Sequence, residues 1–101
     1  MLRHSLVINK DCTGFEKRLY KAVRLWLLYG YRFQACGWTR KYKVRHKEAR
    51  DRMWFMADKI LFNHLGKSFS QFEVKVTGSQ RVLDLDMDRN LEFMLVEKAI
   101  Q

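Results

Sequence analysis

After Gly66 the hydrophobic period of this chain changes from near 3.6 to 2, and that change limits what it can fold into. From Phe15 to Leu65 the apolar residues recur at threes and fours, the spacing of one helical face. From Phe72 onward they alternate, the spacing of one face of a strand. Helices before a glycine and strands after it each carry an apolar face that must be covered, and laying the helices on the sheet covers both. The expected class is α+β: two helices packed on a small, mostly antiparallel sheet in the order β-α-α-β-β-β.

The individual elements follow from local chemistry. The stretch LRHSLVI near the start reads as a short strand. Thr13 stands three residues before Glu16, the spacing of a reciprocal capping box, so a first helix is expected to begin there. Leu19, Ala22, Val23, Trp26, Tyr29 and Phe33 mark its core side. Leu27, Leu28 and Tyr31 point elsewhere and make its later turns apolar nearly all round. Gly37 is suited to ending that helix, and Thr39 to capping the next.

The second helix should run to about Leu65 and stop at Gly66. Tyr42, Ala49, Met53, Met56, Ala57, Ile60 and His64 align as its expected inner face, with Phe55 and Phe62 nearly opposite. Beyond Gly66, Phe72, Val74 and Val76 alternate with Glu73 and Lys75, TGSQ supplies turn chemistry, and RVLDLDM alternates again, which reads as a hairpin. The segment LEFMLVEKAI suits a third strand or a closing helix. At 101 residues there is room for one domain, residues 1–101, with one modest core.

Charge is the strongest functional signal. Residues 1–60 hold 15 Lys and Arg against 5 acids, whereas residues 61–101 hold 5 against 6. The excess is densest in TRKYKVRHKEARDRM, residues 39–53, with seven Lys or Arg and two acids. Projected at about 100° per residue, Arg40, Lys43, Lys47 and Arg50 share a sector of about 80°, and Trp54 continues the stripe. A row of cations can neutralise successive phosphates, and an indole at its end can stack on an unpaired base. Lys17, Lys21 and Arg24 on the outer side of the first helix, with Arg18 nearer the core, would broaden that patch if the helices are antiparallel. Arg45 and Arg52 are expected to flank the core face, covering apolar surface with their stems.

The bland reading of such a row is a solvated helix face, since Lys and Arg are good helix formers. A solvated face usually mixes signs, and residues 40–47 contain no acid. The leading expectation is therefore a basic, non-catalytic accessory or regulatory protein that binds nucleic acid, DNA or RNA, mainly through the phosphate backbone. The rival is a protein-binding module, such as a viral-type inhibitor or adaptor docked on a larger nucleic-acid-handling partner, or a homodimer. Its support is the apolar surplus at Leu27, Leu28, Tyr31, Phe55 and Phe62.

Asp84, Asp86 and Asp88 at spacing two, with Glu73 across the expected hairpin, suggest a divalent-metal site. The E-x-K element Glu73-Val74-Lys75 echoes metal nucleases. The detail fits poorly, because an EF-hand loop would want Gly and Glu where Arg89 and Leu95 stand. Alternation alone makes those aspartates the solvent face of a strand, and that reading is preferred. Metal-dependent nuclease activity is thus a lesser alternative.

Cys12 and Cys36 show no C-x-x-C, and with His4, His46 and His64 they lack the close pairs of structural zinc sites. Free thiols in a reducing compartment are expected, with no metal and no cofactor. The start MLRHSLVINK lacks a secretory cleavage pattern, and LWLLYGY is far shorter than the roughly 20 residues that cross a bilayer. The expectation is a cytoplasmic protein without a membrane partner.

Overall fold

Asn9 reverses the chain out of its first strand. Its side-chain carbonyl accepts from the Asp11 amide at 3.0 Å, and its backbone carbonyl accepts from the Cys12 amide at 3.2 Å, the local turn that Asn favours. In the computed structural model, which describes residues 5–35, 40–78 and 91–99, this turn joins β1 (Ser5–Asn9) to α1 (Gly14–Ala35). Then come α2 (Arg40–Leu65), a 3-10 turn (Phe69–Gln71), β2 (Phe72–Gly78) and β3 (Leu91–Glu97). Gly66 ends α2 as expected. It takes φ +69°, and its amide donates to Phe62 O at 2.9 Å, the left-handed cap that an L side chain disfavours. The capping residues Gly37 and Thr39 lie outside the described residues.

The two helices form an antiparallel hairpin whose register their ring contacts fix. Phe15 stacks on His64 with centroids 4.4 Å apart, Tyr29 on His46 at 6.2 Å, and the Lys43 ammonium sits 5.3 Å over the Phe33 ring. The start of α1 therefore meets the end of α2. On α1 the expected core side is buried at Leu19, Ala22 and Val23. On α2 the inner face is rotated from the expected one. Ala49, Ala57 and Leu61 are its buried residues, while Met53 and Ile60 are half-buried and Tyr42, Met56 and His64 are exposed. The reason is that α2 packs at once against α1 and against the 3-10 turn, which draws its buried stripe toward Trp54, Ala57 and Leu61. Arg45 and Arg52 accordingly stand exposed rather than bordering the core.

The sheet has the order β1-β3-β2 with both pairings antiparallel. The expected α+β architecture of two helices on an antiparallel sheet holds, and LEFMLVEKAI resolves as a strand through Glu97. In register, Leu6, Leu95 and Val74 sit side by side, as do Ile8, Phe93 and Val76. Those two rows lie on the helix-facing side, where Ile8, Leu91, Phe93 and Leu95 are fully buried. On the other side, Glu92 bridges its neighbours, accepting from Asn9 Nδ2 at 3.3 Å and from Thr77 Oγ1 at 3.1 Å. The expected hairpin arm RVLDLDM and its Asp84, Asp86 and Asp88 lie outside the described residues.

Two polar braces close the fold around α2. Asp58 accepts from Ser68 Oγ at 2.6 Å and from the Phe69 amide at 2.8 Å, and Ser68 with Gln71 completes a capping box on the 3-10 turn. Held there, Phe69 is buried between Trp26 and Trp54, 5.5 and 5.8 Å from their rings. Lys67 donates to both oxygens of the buried Glu97 at 2.6 and 2.7 Å, tying the end of β3 to the segment after α2. Among the described residues no helix is long and apolar enough to cross a membrane.

Candidate nucleic-acid interface

Residues 43, 47, 50, 54, 57 and 61 advance along α2 by alternating fours and threes, so they form one stripe. Toward its C-terminal end the stripe is core: Ala57 and Leu61 are fully buried, and Trp54 is half-buried. Toward its N-terminal end the same stripe becomes Arg50, Lys47 and Lys43, with Arg40 one turn further on. The cationic row is thus the core seam of α2 continued into the part of the hairpin where burial thins. It projects on the side that the 3-10 turn occupies lower down.

Each cation has a distinct setting. Arg40 and Lys47 are exposed, and Lys43 is half-buried with its ammonium over Phe33. Arg50 is exposed yet ordered by its neighbour, its guanidinium carbon 4.9 Å from the Trp26 ring centroid. Such a cation–π contact fixes the fork without consuming its donors.

Trp54 does not stand at the end of the row as an open stacking platform. Its ring lies 5.8 Å from Phe69 and 5.3 Å from Phe55 and packs against the core cluster. The Trp54 and Phe69 rings meet at a tilt of 51°, so the indole is committed to the contact with the 3-10 turn. The expected extension through α1 also fails to join the row. Lys17, Lys21 and Arg24 project more than about 100° around α1 from the side that carries Ala22, Trp26 and Phe33 toward α2. Lys17 and Lys21 are exposed and Arg24 half-buried, so α1 carries a separate basic face.

Of the apolar surplus, Leu28 is buried, and Leu27 and Tyr31 are half-buried against the core. That leaves Phe55 and Phe62 exposed, and they align with Val44 along the outer side of α2.

Leu27 and Tyr31 instead help to form a feature that the sequence reading missed. A cleft of about 260 Å3 opens beside the cationic row, lined by Trp26, Leu27, Gly30, Tyr31 and Gln34 of α1 and by Arg50 of α2. No acid lines it. Gly30 lets the Arg50 side chain approach closely, since a β-carbon there would meet Arg50 Nε at 3.1 Å. The available signal was the run Trp26, Gly30, Gln34 at successive fours, a glycine and an amide on a stripe that begins as core.

Among the described residues no group of three His, Cys, Asp or Glu side chains is placed to hold a metal ion. Cys12 is a free thiol. Glu73 is exposed on β2, beside Val96 of β3.

Fold and site together define a small α+β protein whose helical hairpin carries a cationic row beside an aromatic-lined cleft. The chain belongs to the family described as a domain of unknown function, DUF7175, whose family model matches residues 2–100. Comparison with curated proteins and with solved structures gave no match.

Proposed function

We propose that this protein is a cytoplasmic, non-catalytic nucleic-acid-binding accessory or regulatory protein, using Arg40, Lys43, Lys47 and Arg50 to contact the phosphate backbone of DNA or RNA. The observation that carries this reading is the row itself: four cations on one helical stripe, with no acid in residues 40–47, beside an open cleft. Released counterions would supply most of the affinity, and sequence specificity would be weak.

Binding of a labelled oligonucleotide, followed by anisotropy across a salt series, tests it. Four neutralised phosphates give a slope of log affinity against log salt of roughly −3 to −4. Changing Lys43, Lys47 and Arg50 together to Glu lowers affinity by roughly a hundredfold at low salt. Undetectable binding at low ionic strength, or binding indifferent to salt, refutes the reading.

A second reading rests on a different surface. Val44, Phe55 and Phe62 are 48%, 67% and 63% exposed in one line along α2, an arrangement suited to a protein-docking face of an inhibitor or adaptor, or to a second copy of the chain. The double variant Phe55→Ser, Phe62→Ser then abolishes self-association in light scattering, or nuclease-resistant recovery of a protein partner. An unchanged mass with unchanged recovery removes this reading.

A further inference from the structure

The cleft beside the cationic row has the chemistry of a base pocket. Its volume, about 260 Å3, is below the roughly 300–1,000 Å3 of pockets that enclose drug-sized ligands. It is suited to one planar ring rather than to a larger molecule.

Its walls differ in kind. Tyr31 offers an aromatic ring, and Gly30 leaves bare backbone next to it. Arg50 offers a planar guanidinium from the opposite helix, held over Trp26 at 4.9 Å. Bases pulled out of a helix are bound by stacking on aromatic rings and on arginine planes, and their edges are met by amide side chains. Gln34, exposed at the same cleft, is such an amide, with two donors and an acceptor. Lys43, Lys47 and Arg40 continue along the neighbouring helix on the same side, where the phosphates flanking an inserted base would run.

We infer that this cleft receives an unpaired nucleobase, so that the ligand of the cationic row is single-stranded nucleic acid in preference to duplex. The inference rests on the nucleic-acid reading proposed above and adds to it the strand state of the ligand and the residues that select it. Tyr31 is the stacking partner, and Gln34 meets the base edge. In a duplex the bases are stacked on one another and closed to such a cleft, so only the phosphate contacts remain.

The test separates base from phosphate without altering the protein's charge. An oligothymidylate of about twelve nucleotides, within the span of one small single-strand module, is compared by anisotropy at low salt with an abasic strand of the same length and charge, and with the corresponding duplex. The native protein binds oligothymidylate roughly tenfold more tightly than either, the gain expected from one stacked base. Tyr31→Leu, which keeps the apolar bulk against the core but removes the ring, erases that preference, and Tyr31→Phe restores it. Circular dichroism of each variant verifies the fold.

Equal affinity for the thymidylate and abasic strands overturns the base pocket and leaves the phosphate reading standing. A preference that survives Tyr31→Leu overturns the assignment of the stacking residue, and with it the pocket. Loss of all binding by the native protein at low salt overturns both the pocket and the reading on which it rests.

Discussion

Arg50 on α2 lies over the face of Trp26 on α1, its guanidinium carbon 4.9 Å from the ring centroid. One side chain thereby joins Trp26, which packs against the core from α1, to the cationic row of α2. The contact has two consequences that can be separated by experiment. The ring orders the fork, and the fork keeps its charge at the mouth of the cleft.

Replacing Arg50 by Met keeps an unbranched apolar stem and removes both the charge and the cation–π contact. Stability is expected to fall by only about 0.5–1 kcal/mol, the range for a partly exposed pair, as read from urea denaturation. A loss well above that would mean that Arg50 is chiefly a structural residue.

Phe69 is the deepest point of the aromatic cluster, set between Trp26 and Trp54. Phe69→Ala removes a buried ring from between two indoles that cannot collapse onto each other, since each is fixed in its own helix. The expected cost is about 3–5 kcal/mol in chemical denaturation. Tryptophan emission should also shift to the red as Trp26 and Trp54 gain access to water.

Lys67 and Glu97 form the second anchor of the fold. Glu97 is 8% exposed, and each of its carboxylate oxygens accepts from the Lys67 ammonium. Lys67→Met leaves a buried carboxylate without that cation, at an expected cost of about 3 kcal/mol. The double variant Lys67→Met, Glu97→Met removes charge and partner together and should recover most of the loss, because an apolar pair of similar volume carries no desolvation penalty. Thermal melts of the single and double variants decide this. Equal destabilisation by both would show that the carboxylate left without Lys67 carries no desolvation penalty of its own.

Much of the architecture was legible in the sequence because it depends on local spacing. The change of period at Gly66 gives helices before it and strands after it, and the left-handed conformation at Gly66 is the one that glycine adopts without penalty. Leu19, Ala22 and Val23 were identifiable as core because α1 buries a side defined by regular threes and fours. The acid-free run at residues 40–47 could likewise be read directly. The inner face of α2 could not. Tyr42 and Met56 look apolar enough for a core, yet they are exposed, since a helix that touches two neighbours buries the sector between them.

By itself, then, the sequence determined the α+β class, the end of α2 and the positions of the cations along its helices. These follow from periodicity and backbone conformation within a few residues of chain. Only the tertiary structure decided which way α2 is turned. That rotation puts Trp54 into the core and carries the Lys43, Lys47 and Arg50 row onto the side of the hairpin where the cleft opens. It also brings Arg50 to the cleft beside Gly30. The physical reason is that helix rotation and inter-helix register are set by packing between segments far apart in sequence. Here those segments are Trp26, Trp54 and Phe69, whose rings meet only after the chain has folded back on itself twice.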